Sequence, residues 1–509
     1  MNADVITILA IMVVYLSVIL GLGLYSSRFA RPTMEDYHMA GREFNTFILF
    51  CAVFGTNVSA VALIGVPGKA YHLGWGVWAY FVTAWGWLTP ILFYVIGNRA
   101  WKVSSKYFLI TQSDLFFKRF NHKGLGWLTS CVLIFYTIPY IMAGVIGGGR
   151  AFAGLTQGVV PYWLGALIVT LVVCLYVTAG GMRSTAWTNA VQTVVFLIGG
   201  LLMFGIIAHG MGGPAQATAQ VVEKYPYLMD RSEFPILLFF SHGIIVSLSV
   251  PMFPQVYIRL LTGNKPAKLR RMTMMYPFAA LFILFLMAYI GMWGHISFPD
   301  LQGAAADKIL PLLLANYAPV WMAGILGAAI FAALMSSLDA QLLTLGTLLS
   351  RDFLGAGAKK GAEKEDSAVL LSRILIIGFA LIAFMGALIK PMGIISVIEW
   401  SFSGYASIII PVIGALYWKR CTAAGCIGSI VIAQIILLGI PLGFIPEAIA
   451  FGMLPGIPAL LAGLAVLVVV SLITGKPAEK EILEFFASFG PAEKRCSNRR
   501  STVQQVRVS

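Results

Sequence analysis

Thirteen segments of this chain run for about 20 residues or more through almost wholly apolar side chains, long enough to cross a bilayer as helices. They lie at about 4–25, 45–72, 75–98, 124–154, 160–182, 186–210, 234–261, 272–296, 319–350, 368–389, 393–418, 422–443 and 446–474. A water-soluble globule carries about 25% charged residues. Here 11% are charged and 59% hydrophobic, with a mean hydropathy of +0.86. Folding in water cannot hide that much apolar surface, so lipid must be the solvent for most of it. In lipid every backbone N–H and C=O must be satisfied within the protein, which leaves helices or closed barrels. The runs lack the strict alternation of barrel strands, so an all-α polytopic membrane protein is expected.

Lys and Arg in the connecting loops set the orientation, because cytoplasmic loops are enriched in them. With the N-terminus outside, 29 of them fall inside and 6 outside, together the 35 of the sequence. One span more or fewer would scramble this pattern. A multi-pass protein of the cell (inner) membrane is expected, with an external N-terminus and a cytoplasmic C-terminus. The net charge of +14 raises nucleic-acid binding as a function. Short basic loops between spans account for the charge without it. Cys51, Cys131, Cys174 and Cys426 lie in apolar runs and no CxxC pair occurs, so they read as packing residues. The N-terminus lacks a basic segment and a small-residue cleavage site, so no signal peptide is expected. The basic stretch Lys494–Arg500 reads as a solvated end near anionic lipid. HExxH, Walker and Rossmann signatures are missing, and an enzyme is not expected.

Two spans contain residues that interrupt helices. Phe54-Gly55-Thr56-Asn57-Val58-Ser59-Ala60 places Gly, Thr, Asn and Ser in the middle of span two. Val250-Pro251-Met252-Phe253-Pro254-Gln255 removes two backbone donors from span seven. Each break opens a block of five spans. An odd number of crossings inverts the second block relative to the first. Unwound membrane helices expose carbonyls that bind cations, a device of secondary transporters. Ordinary proline kinks and small-residue packing are the bland alternative.

Several strings resemble the sodium:solute symporter family. They are Asp36-Tyr37-His38-Met39-Ala40-Gly41-Arg42, Ile64-Gly65-Val66-Pro67-Gly68, Gly148-Gly149-Arg150, Gly180-Gly181-Met182-Arg183 with Trp187-Thr188, and Ala333-Leu334-Met335-Ser336-Ser337-Leu338. The resemblance runs from about Glu35 to Arg420 and implies a leucine-transporter-type fold of two inverted five-helix repeats. The organisation expected is a first helix and cytoplasmic loop (1–44), a first repeat (45–210), an external loop (211–233) and a second repeat (234–420). Two additional helices (421–475) and a cytoplasmic tail (476–509) complete it.

The same resemblance implies Na+ as coupling ion, held by the carbonyls of Gly55, Val58 and Ala333 and the hydroxyls of Ser336 and Ser337. Neutral oxygens suit a hard cation that must be released again. The family's frequent Asp after Trp-Thr is Asn189 here, and a hydroxyl one turn before the serine pair is Ala333. Both changes remove ligands, so one sodium per cycle is expected. For the solute the candidates are Asn57, Ser59, Val61, Tyr140, Val246, Val250 and Phe253. These form an apolar pocket that suits a short organic acid, of monocarboxylate or pantothenate type. His242 reads as a structural histidine or as a solute or proton ligand, and Arg150 as a residue that fixes a helix end. A proline-type amino-acid symporter, proton-coupled uptake and a sensor of the same fold remain alternatives. The partners expected are the solute, the sodium ion and the bilayer; the oligomeric state is left open.

Overall fold

In lipid, helices are the form that satisfies each backbone group within its own segment, and helices are what the apolar runs become. The computed structural model describes residues 3–29, 33–58, 61–230, 236–353, 362–389 and 394–489. Its principal helices are α1 (Ala3–Ser27), α2 (Thr46–Asn57), α3 (Val66–Leu73), α4 (Thr89–Tyr107), α5 (Lys123–Leu155), α6 (Tyr162–Gly210), α7 (Ile236–Ser249), α8 (Pro254–Leu260), α9 (Pro266–Ser297), α10 (Val320–Leu348), α11 (Ala362–Ile389), α12 (Ile394–Ala406), α13 (Ile409–Tyr417), α14 (Ala423–Gly439) and α15 (Gly456–Ile473). Among the described residues eight helices are long and apolar enough to cross a membrane, or ten if two bent pairs each count as one span. The chain is thus a multi-pass membrane protein.

Both bent pairs fall where the sequence predicts breaks. The helices Thr46–Asn57 and Val61–Leu73 meet at 47°, and Ile236–Met252 and Pro254–Leu260 at 59°. The first helix starts on Asn45, whose side chain accepts from the Ile48 amide at 2.9 Å. It ends at Val58, where φ −90° and ψ 84° leave the helical region. In the second pair Phe253 (φ −54°, ψ 120°) breaks the chain, and Pro254 opens α8 where a missing N–H costs no hydrogen bond. Phe253 keeps its own amide satisfied through the Ser249 carbonyl at 3.0 Å.

Helix α6 holds 49 residues, about 74 Å at 1.5 Å per residue, against a hydrocarbon core of about 30 Å. Gly181 divides it, with φ 53° and ψ −135°. A Cβ there would stand 2.5 Å from the Tyr37 carbonyl oxygen, so both conformation and proximity demand glycine. The two runs predicted on either side of this point are therefore separate stretches of helix.

Helix α10 is the centre of the packing. It lies along α6, α5 and α1, and α2 packs across α6, α9 and α10. Helix α12 rests on α5 and α7, and α14 and α15 pair with each other. Nearly every side chain of α10 from Leu326 to Leu348 is buried, including Ser336, Ser337, Asp339 and Gln341. Polar groups so placed must find partners within the protein.

Candidate functional site

The break after α2 frees backbone acceptors, because the last carbonyls of a helix have no intrahelical donor. Helix α10 supplies donors to them. Ser336 Oγ donates to the Gly55 carbonyl at 2.8 Å and lies 2.9 Å from the carbonyl of Ala333 on its own helix. Ser337 Oγ donates to the Thr56 carbonyl. Five neutral oxygens thereby converge between the two helices: the carbonyls of Gly55, Thr56 and Ala333, and the two hydroxyls. Four of the five predicted ligand residues are in this cluster. Val58, the fifth, stands at the break, where its ψ turns its carbonyl off the helix axis. Thr56 was not predicted. Glycine at position 55 permits the close approach of α2 to α6, since a Cβ would stand 2.4 Å from Thr193 Oγ1. Hydroxyls that now donate to carbonyls can rotate and turn their lone pairs to a cation, so the donor set fits a small hard ion.

The solute candidates divide. Tyr140 and Phe253 face each other with ring centroids 5.3 Å apart. Phe402 and Tyr405 of α12 close on Phe253 at 4.8 and 4.9 Å. Tyr405 is fixed by donating to Thr137 Oγ1 at 2.7 Å. Val61, Val246 and Val250 are buried, and the turn Val61–Gly65 packs on α12. Asn57 donates through Nδ2 to the Tyr276 hydroxyl, while its buried Oδ1 has no hydrogen-bond partner among the described residues. Ser59 lies outside the described residues. Sequence reasoning missed Phe402, Tyr405 and Tyr276. The first two stand three residues apart, on one helix face, which is a signal that could have been read.

Two clusters flank this region. His242 Nδ1 lies 3.6 Å from Glu399 Oε1, and Lys69 also pairs with that carboxylate. This ties α3 to α12 beside α7. Arg150 pairs with Asp307, which anchors that end of α5 to the turn Gly303–Lys308.

On the other side of the serines, Asp339 is fully buried. Its Oδ2 accepts from the Tyr176 hydroxyl at 3.1 Å and the Thr188 hydroxyl at 3.3 Å, and its Oδ1 from Asn189 Nδ2 at 3.4 Å. Arg259 of α8 approaches Oδ1 to 3.7 Å. By sequence position Arg259 is one of the 29 Lys and Arg assigned to the inside. In the fold it is 1% exposed and inside the protein.

A broken helix faces a serine pair, and a cluster of buried aromatic side chains packs beside it. The profile of the sodium:solute symporter family matches residues 37–433, and the chain belongs to that family. It is 26% identical over 430 residues to a sodium/pantothenate symporter of Haemophilus influenzae, covering 83% of this chain and 87% of that one. It is also 26% identical over 486 residues to a sodium/proline symporter of Staphylococcus aureus, covering 91% and 92%. A solved Na+-coupled sialic acid symporter, in a substrate-bound outward-open state, shares the fold with a TM-score of 0.77 at 17% identity, over 93% of this chain and 99% of that one.

Proposed function

We propose that this chain imports a small organic acid, of monocarboxylate or pantothenate type, together with Na+. The observation that carries the reading is the convergence of Ser336 and Ser337 on the carbonyls of Gly55 and Thr56 at a helix break. Sodium binds there and joins α2 to α10. The solute binds at the adjoining aromatic cluster, with its aliphatic body against Tyr140, Phe253, Phe402, Val61, Val246 and Val250. Its carboxylate is held by Asn57 and Ser59 and the positive end of a half-helix. Sodium at the break fixes the first half-helix and so completes the solute site, which makes each ligand raise the affinity for the other. The sodium/pantothenate relative supports this solute class.

The sodium/proline relative, of similar identity and wider coverage, favours a second reading, a sodium/amino-acid symporter. Uptake of radiolabelled pantothenate, short monocarboxylates and proline into proteoliposomes, with and without an inward sodium gradient, decides between them. Sodium-stimulated accumulation of a carboxylate and not of proline is the expected result. Uptake that follows an imposed pH gradient and ignores sodium would reject sodium coupling. Binding without any flux would point to a sensor.

The same reading places thirteen spans in the membrane, with two inverted blocks at 45–210 and 234–420 and the N-terminus outside. A reporter fused after Ser509 should then be active in its cytoplasmic form alone, and activity of a periplasmic reporter at that position would reverse the topology.

A further inference from the structure

A carboxylate fully buried among neutral partners must either hold a proton or have its charge met by a cation. Asp339 accepts three, from Tyr176, Thr188 and Asn189. The remaining charge is met by Arg259, also buried. The pair is not docked as a fork. The approach is 3.7 Å, and Arg259 Nε and Nη2 have no hydrogen-bond partner among the described residues. The guanidinium therefore neutralises the site without capping it. Oxygens remain around the carboxylate: the Tyr176 and Thr188 hydroxyls, and Asn189 Oδ1, which is buried and without a hydrogen-bond partner among the described residues. A carboxylate with three neutral oxygens is a ligand set for a hard cation. Asp339 also stands only two residues beyond Ser337, about 3 Å along the axis of α10.

We propose that Arg259 is a tethered cation, filling at Asp339 a second cation position that would otherwise take Na+. The fixed charge rides on α8, the half-helix beyond the 59° break, and spans from there to the helix that carries the serine pair. The chain then needs one sodium from solution and carries the second positive charge itself. Loss of Arg259 opens the position; loss of Asp339 as well abolishes it.

This inference rests on the sodium reading, and counting bound 22Na+ on purified full-length protein separates the two. Wild type should bind one sodium per chain. Arg259→Gln should bind two, Arg259→Gln/Asp339→Asn one, and Arg259→Lys, which keeps a tethered cation, one. In Arg259→Gln the second ion should survive Ser336→Ala/Ser337→Ala, which removes the first. No sodium bound by wild type rejects the sodium reading itself. One sodium in wild type and still one in folded Arg259→Gln overturns the tethered-cation proposal, as do two in wild type or two in Arg259→Lys. If Arg259→Gln cannot be recovered folded, Arg259→Met carries the same test, two ions supporting the proposal and one overturning it.

Discussion

Replacing Ser336 and Ser337 together by alanine should lower the apparent sodium affinity at least about a hundredfold, since each oxygen bonded to a charge contributes about 1.5 kcal/mol or more. The fold should survive. Each serine makes one hydrogen bond to a carbonyl across the helix interface, with a net contribution of about 1 kcal/mol each. Ser336 also bonds within its own helix to Ala333, and that helix does not depend on it. The two effects differ enough to be read separately. Sodium titration of solute uptake gives the affinity, and thermal unfolding in detergent gives the stability. An unchanged sodium half-saturation in a well-folded double variant would reject this site. The single variants should differ. Ser337 meets the Thr56 carbonyl and Ser336 the Gly55 carbonyl, so each removes one side of the same cluster.

Much of this was legible in the chain because lipid makes the grammar simple. Runs of apolar residues had to become helices, and the strings Phe54–Ala60 and Val250–Gln255 marked where they are interrupted, at Val58 just after Gly55-Thr56-Asn57 and at Phe253 between two prolines. The division near Gly181 was visible as the gap between the runs 160–182 and 186–210, although the Tyr37 carbonyl that leaves no room for a Cβ at Gly181 is a tertiary fact. Pairings across the fold were not legible. Asn57 to Tyr276 spans 219 residues, and Tyr140 meets Phe402 from a helix outside the motifs that marked the site. Arg259 was misplaced for a physical reason. Loop arginines and buried arginines look alike when a short half-helix ends near a membrane face. Asp339 did carry a signal: an acidic residue within an apolar span is expensive there and points to function by default.

The transport stoichiometry should be one sodium per solute, and its energetic consequence is large enough to measure without counting ions. One charge moved inward through 100 mV releases about 2.3 kcal/mol, and a tenfold sodium gradient adds about 1.4 kcal/mol. A neutral solute carried with one sodium can then be concentrated about 500-fold, whereas two sodium ions would allow roughly the square of that, on the order of 10⁵. A monoanion carried with one sodium moves no net charge. Its accumulation should stop at about tenfold under the same sodium gradient and should ignore the membrane potential. With two sodium ions it would move one charge inward and reach about 5,000-fold. The position where a further ion would sit holds Asp339 with Arg259 already beside it, and Ala333 contributes a carbonyl and no hydroxyl one turn before the serines. Proteoliposomes loaded with potassium and valinomycin set the voltage independently of sodium. For a carboxylate solute, steady-state accumulation that is flat with voltage and proportional to the sodium ratio is the expected result. Accumulation that climbs steeply with negative potential inside, and with the square of the sodium ratio, would mean that a second ion travels and that the buried arginine does not take its place.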